Sequence, residues 1–325
     1  MQMDTFIDLF SGYKKIKIFY YIRTNLIQLV PNWYNHLYRK NLKKRFSSTE
    51  EIEYIENRVN YYNKLEPSII NSDAKRIADL SLKESIKKVY YYDSVEYLKY
   101  FDEQLLINTL YGDITHTPNI PSIVKSRPVI NNNNSTVLNL NRIRHFVFIK
   151  DRIKYSNKKN QLIGRGYVDH SKFLRIRFLE KHFNNPLCDI GHTNNYNNNE
   201  WLVNFVPVHK QLQYKFILCW EGNDVATNLK YVMSSNSLAI STKPKYETWF
   251  MEGTLIGGFH YVEIKDDFSD LDEKINYYSK NIEEAKKIIQ NANAYTKQFQ
   301  NKKREDLISI LVLEKYFRNT NQALK

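Results

Sequence analysis

FILCWEGNDVATNLKYVMSSNSLAIS, residues 216–241, sets an apolar run, a polar glycine turn, an amphipathic segment and a second apolar run within one short span. Phe216–Trp220 is apolar with aromatic ends, the pattern of a strand covered on both faces. In Glu221-Gly222-Asn223-Asp224 the glycine permits a tight turn, and Asp224 is a good helix N-cap. Val225, Leu229, Val232 and Met233 share one helical face; Ser234–Ser237 then breaks the period before Leu238-Ala239-Ile240 resumes as a strand. The span is expected to be a βαβ unit and the fold an α/β one. In open parallel sheets the crevice beyond the strand ends is where ligands bind, and free N–H groups at a helix start suit an anion such as diphosphate. Most such loops bind nothing, so this pattern alone does not establish a ligand.

The 325 residues are 42% apolar and 14% aromatic, which leaves room for two cored domains and excludes a disordered chain. Net charge is +13, so the expected partner is anionic: nucleic acid, an acidic membrane face or a phosphorylated small molecule. Two cysteines, Cys188 and Cys219, do not make a disulfide framework, and the N-terminus lacks the order of a signal peptide. No apolar run is long enough to span a bilayer. A cytoplasmic location is expected.

Residues 6–46 mix Tyr, Phe, Ile and Leu with Lys and Arg. They read as two helices split by Pro31, with a basic, aromatic surface at Tyr13–Tyr21 and Tyr34–Lys44 that suits an anionic leaflet. Ile52–Tyr62 and Ile77–Val89 have helical periodicity, Lys88–Tyr92 opens a β-like run, and residues 109–129 read as a loop followed by a short strand. A boundary falls near Tyr155–Lys159, before Gln161–Gly166, another strand entering a glycine turn; strands and helices then alternate to Ile264. Asp270–Asn293 reads as one strong helix, with Asp270 as N-cap and Glu273 placed for a capping box.

No P-loop, dinucleotide fingerprint, HExxH or CxxC pair is present. Cys188 and His192 lack further ligands at zinc spacing, and Asp270-Leu271-Asp272 reads as helix-start acids rather than a metal DxD. No metal is expected. Arg165, at a strand end between Gly164 and Gly166, is placed for a guanidinium to fork onto phosphate. In the block Tyr246–Gly253, Glu247 and Glu252 have less reason to be buried than Trp249 and are candidates to face a ligand.

Several blocks in one order then identify a resemblance: YGDITHTPNIPSIVKSRPV, NLNRIRHF, GRG with RFLEKHFNNPLCDIG, QLQYKFILCWEGNDVATNLKYVMSSNS, and KPKYETWFMEGTLIGGFHYVEIKDDFSDLDEKI, from about Leu110 to Phe299. The chain resembles glycosyltransferase family 90, the CAP10-like enzymes, in its bacterial lipopolysaccharide A (LpsA-like) branch. The resemblance implies a GT-B architecture, two Rossmann-like domains facing across a cleft. The expected domains are 1–155 on the acceptor side, with the basic aromatic helices, 156–300 for the nucleotide sugar, and a C-terminal helix in 301–325. It further implies inverting transfer of a hexose or pentose, glucose first, from a UDP-sugar, without metal or other cofactor. Under it the loop Glu221, Gly222, Asn223, Asp224, with Thr227 and Lys230, receives the donor beside Arg165 and Gly166, and Glu247 and Glu252 are candidates for its sugar hydroxyls. Asp113 is the candidate general base, because the family's catalytic aspartate lies in a comparable loop ahead of a Pro-x-x-x-Lys-Ser segment; by its own position after Gly112 it reads equally as a turn residue. Lys125 and Arg127 reach toward the cleft from the same side. Two arginines of eukaryotic relatives have Val168 and Asn228 as counterparts here, so the phosphate clamp is expected to differ in detail.

The expected partners are a UDP-sugar, a glycan or lipid-linked saccharide acceptor such as lipopolysaccharide core, and an anionic surface at the inner face of the cytoplasmic membrane. Nucleic-acid binding fits the charge and aromatics but leaves the acidic loop Glu221–Asp224 and the YETWFMEG block without a purpose, and is not expected. A non-catalytic, membrane-associated protein that keeps the fold is the other alternative.

Overall fold

The computed structural model describes residues 19–26, 30–71, 73–82, 88–196 and 199–324. The chain divides into two compact units. One holds Arg144–Pro244 and Thr254–Gln298; the other holds the described residues up to Ile143, then Lys245–Gly253 and Phe299 onward.

The first unit is built on a five-stranded parallel sheet in the order Val262–Glu263, Leu238–Ser241, Tyr214–Leu218, Lys159–Gly166, Cys188–His192. Tyr214–Leu218 is buried along its whole length, which is why the sequence there is an unbroken apolar and aromatic run rather than an alternating one. Leu238 pairs with Phe216 and Ile240 with Leu218, so residues 216–241 do form two parallel neighbours joined by a crossover. Leu162, Ile190, Phe216, Leu218, Leu238, Ile240 and Val262 share a core with Phe178 and Leu179 of helix Phe173–His182, and with Leu271, Ile275, Ala285 and Ile289.

Two details of this unit differ from expectation. The crossover helix spans only Leu229–Met233, and Val225–Asn228 is irregular, so the N-cap position falls to Asn228 and not to Asp224. The Asn228 side chain explains the late start: it donates to the Leu218 carbonyl at 2.8 Å, which holds the loop against the strand it has just left. The long helix is two, Leu271–Lys280 and Ile282–Lys297, broken at Asn281. Asp270 stands at the first N-cap, but its carboxylate turns back to the Lys265 N–H at 2.9 Å and makes no capping box.

The second unit joins helices Asn32–Arg45, Thr49–Tyr62, Lys88–Leu98 and Lys302–Asn319 to a three-stranded parallel sheet, Thr109–Leu110, Ser122–Val124 and Ser135–Val137. Helix Lys302–Asn319 buries Leu307, Ile308, Ile310, Val312, Leu313, Tyr316 and Phe317. It also buries Glu305, Asp306 and Glu314, each of them partnered: Glu305 by Arg58, Asp306 by Lys302, Glu314 by Arg39. Residues 19–26 and 32–45 are helical on either side of Pro31, whereas residues 1–18 lie outside the described residues. Two expectations fail. Lys88–Tyr92 opens a helix, not a strand, because Tyr90, Tyr92, Tyr97 and Leu98 find a helical burial pattern that outweighs the β preference of Val and Tyr. Ile77–Asp79 is a single 3-10 turn, and residues 83–87 of the helix expected there lie outside the described residues.

Candidate functional site

In the sheet unit the strand order, numbered along the chain, is 2-1-3-4-5, and it reverses between Lys159–Gly166 and Tyr214–Leu218. That pair is the topological switch point, where connections leave to opposite sides and open a crevice at the strand C-termini. The segments that leave it are Tyr167–Lys172 and Cys219–Asp224, which hold the expected donor loop. Gly166 is required there by contact: a Cβ on it would meet the Trp220 ring at 3.0 Å. Gly222 is hemmed in the same way, its added Cβ falling 3.1 Å from the Arg175 guanidinium.

The expected donor residues are not equally open. Glu221, Gly222, Thr227 and Arg165 are half-buried and Asn223 is exposed. Arg165 does not reach outward. Its guanidinium pairs with the Asp189 carboxylate, donates to the Asp189 carbonyl at 2.6 Å and, through Nε, to the Asn204 carbonyl at 3.1 Å. Burial would raise Asp189, but Tyr214 and Arg165 hold its carboxyl below the usual range, so the pair is firmly ionic. Lys230 is fully buried, near enough to act on the buried Cys219 thiol, and Asp224 is buried as well. Both belong to the support of the loop rather than to its surface.

The cation at this loop is one the sequence reading passed over. Arg175 donates from Nε to the Glu221 carbonyl at 3.0 Å and from Nη1 to the Tyr167 carbonyl at 2.8 Å, so it bridges both segments of the switch point. Its guanidinium also lies 5.4 Å from the centroid of the Trp220 ring. Lys172 donates to the Asn223 side-chain oxygen. One signal was available: Arg175 sits in the first turn of helix Phe173–His182, where no acid is present and a cation opposes the macrodipole.

In the helical unit, Asp113 follows strand Thr109–Leu110 through Gly112, whose φ of +138° suits glycine. Its carboxylate accepts from Lys125 Nζ at 2.6 Å and its side chain is 17% exposed, while Lys125 is buried. The adjacent Ser126 hydroxyl fixes the loop by accepting the Ile114 N–H at 3.0 Å. Asp113 and Lys125 therefore come together at the C-terminal ends of two parallel strands, with the carboxylate as the more open partner.

Arg127, Glu247 and Glu252 depart from the expectation of open, ligand-facing side chains. Arg127 is 0% exposed and donates to Glu247 at 2.8 Å, to the Ser135 carbonyl at 2.8 Å and to the Tyr61 carbonyl at 2.6 Å. Glu247, 1% exposed, also accepts from the Tyr61 hydroxyl. Glu252, equally buried, accepts the Thr248 N–H at 2.6 Å. The physical reason is the short antiparallel pair of Arg127–Pro128 with Tyr246–Glu247, which sets Glu247 directly opposite Arg127 inside the core. Trp249 is buried too, stacked on Tyr62 at 3.8 Å and donating from its indole N–H to Glu305 at 2.6 Å. A set of metal ligands is not assembled from the residues read for one. Asp270 and Asp272 turn to different partners, Lys265 and Asn185, and Cys188 and His192 stand four residues apart on one strand, roughly 13 Å.

The family model for glycosyl transferase family 90 matches residues 141–317. The chain is 41% identical over 308 residues to the O-glucosyltransferase LpsA of Dichelobacter nodosus, covering 93% of this chain and 95% of that protein. It is 32% identical over 141 residues to Protein O-glucosyltransferase 3 of Rattus norvegicus and 30% identical over 169 residues to that of Homo sapiens, which covers 27% and 32% of those longer proteins.

Proposed function

The chain belongs to glycosyltransferase family 90, and from that premise we propose that it transfers glucose from a UDP-sugar to a cell-surface glycan, with lipopolysaccharide or lipooligosaccharide core as the acceptor. The observation that carries this reading is the near full-length likeness to a relative named as an O-glucosyltransferase. Parallel sheets in both units and a switch-point crevice in one of them support a GT-B architecture, with the donor on the sheet unit and the acceptor base on the helical unit.

In this reading the reaction is a direct, inverting displacement that needs no bound metal. The acceptor hydroxyl oxygen attacks the anomeric carbon, its proton passes to the Asp113 carboxylate, and the bond to the diphosphate oxygen breaks to release UDP. Lys125 holds Asp113 in place through their 2.6 Å ion pair. The leaving diphosphate gains charge as the bond breaks, so it needs donors aimed at it beforehand. We propose that the protein works at the inner face of the cytoplasmic membrane, held there by the basic surface of helix Asn32–Arg45.

The test is UDP release by the purified protein, in EDTA, across a panel of UDP-sugars with and without truncated core oligosaccharide. Acceptor-dependent release from UDP-glucose is expected to persist in EDTA and to fall by at least about 100-fold in Asp113→Asn, the usual scale for a lost general base. Release that stops in EDTA and returns with a divalent cation would overturn the metal-free reading. Full activity in Asp113→Asn would remove Asp113 from the chemistry.

A further inference from the structure

We propose that Arg175, assisted by Lys172, is the residue that grips the phosphates of a nucleoside diphosphate at the switch-point crevice of the sheet unit. The inference rests on the donor reading given above and assigns that donor's anionic part to named side chains.

Arg165, at this crevice, is neutralised by Asp189. Among the described residues Arg175 makes no ion pair with a carboxylate: its guanidinium donates to the main-chain carbonyls of Glu221, Tyr167 and, more weakly at 3.4 Å, Trp220. Carbonyl oxygens orient a guanidinium without cancelling its charge. The acidic group that acts on it, Asp169, is turned to the Ser171 N–H at 2.8 Å and to the Ser171 hydroxyl. Burial pulls Arg175 below the usual arginine range, to about 10; Asp169 opposes that and Arg144 adds to it. This is a cation held partly out of water beside a second cation, a state that an incoming anion relieves. Lys172 stands at the other side of the same loop, bonded to Asn223 and 4.0 Å from the Asp169 carboxylate, with its side chain 11% exposed, so its part is the lesser one.

Position supports the same assignment. Arg175 bridges the two segments that leave the switch point, and Gly222 leaves it room, since any Cβ there would press on the guanidinium at 3.1 Å. The planar fork fixed by Glu221 and Tyr167 suits bidentate contact with phosphate oxygens, which a lysine could meet only as a point charge. Trp220, lying against the guanidinium, supplies a built-in reporter.

The experiment follows Trp fluorescence, with calorimetry as a second readout, on titrating the full chain with UDP, UMP, uridine and inorganic pyrophosphate. Wild type is expected to bind UDP more tightly than UMP, and UMP more tightly than uridine. Arg175→Met should weaken UDP on the order of 30-fold while leaving uridine unchanged, Arg175→Lys should fall between, and Lys172→Met should lose less. UDP affinity unchanged in Arg175→Met overturns the assignment while the donor reading stands. Parallel loss of UDP and uridine means that Arg175 only props the loop, and it overturns the assignment too. Pyrophosphate binding that depends on Arg175 without any preference for UDP keeps the anion site and sinks the nucleotide donor. A wild type that binds none of the four overturns both.

Discussion

Glu247 shows how one residue can be legible in chemistry and illegible in role. Its carboxylate lies against Arg127 at 2.8 Å with both side chains closed to solvent. Such a pair is fixed in place because removing either charge strands the other in a medium that solvates it poorly, at a cost of about 3–5 kcal/mol. Glu247→Gln and Arg127→Met are therefore expected each to lower the free energy of unfolding, measured by urea titration, by an amount on that scale. The double change Arg127→Met with Glu247→Leu should recover only the part due to a stranded charge, since it still removes the donor to the Ser135 and Tyr61 carbonyls. A Glu247→Gln protein of unaltered stability that had lost UDP-sugar binding would return Glu247 to the donor side. Glutamate in a block rich in aromatics reads from sequence as a sugar ligand because nothing local announces the arginine 120 positions earlier that it meets.

Helix Lys88–Leu98 extends the same logic to an element. Its Asp93 and Glu96 converge on Arg142, and Glu96 also meets Arg23 at 2.8 Å. Burial alone would raise Glu96, but Arg142, then Arg23 and Lys302, outweigh it and hold its carboxyl down to about 2. A carboxylate depressed in the folded state contributes its stability above the unfolded value near 4.5 and loses it as pH falls through the folded value. The helical unit is thus expected to lose stability between pH 4.5 and pH 2, on the order of 3 kcal/mol from this group, and Glu96→Gln should flatten that limb of an acid titration followed by circular dichroism. These elements also mark what the sequence could disclose. The parallel strands were legible because a strand buried on both faces must be apolar throughout, as Tyr214–Leu218 is. The strand expected at Lys88 and the single helix expected over Asp270–Asn293 were misread because tyrosine burial and the break at Asn281 are decided by tertiary neighbours. The tight turn at Gly222 was legible from its chemistry, whereas the pairing of Arg165 with Asp189 and the hold of Arg175 on the Glu221 and Tyr167 carbonyls were not, because none of these partners is adjacent in sequence.

At the scale of the molecule the dominant fact is a net charge of +13. Part of it is concentrated on helix Asn32–Arg45, which has no acidic residue and ends in Lys43, Lys44 and Arg45. Exposed Tyr34 and Leu37 lie on the same helix, and exposed Phe19, Ile22 and Leu26 on the segment before Pro31. Cations with interspersed apolar side chains are what an anionic leaflet attracts: each Lys or Arg near the surface adds about 1 kcal/mol, and inserted rings and aliphatic chains add more. An acceptor carried on a lipid would place the substrate in that leaflet, so the same contact would raise the local concentration of enzyme and acceptor together. The full chain is therefore expected to co-sediment with vesicles containing phosphatidylglycerol and to stay in solution with phosphatidylcholine alone. Raising salt from 0.05 to 0.5 M should release it, because screening shortens the reach of each charge from more than 10 Å to less than about 5 Å. Reversing Lys40, Lys44 and Arg45 to glutamate removes at least three attractive charges and should weaken vesicle binding by about 100-fold or more, with UDP affinity unchanged. Equal binding to neutral and anionic vesicles, or binding indifferent to salt, would mean that the charge serves some other partner.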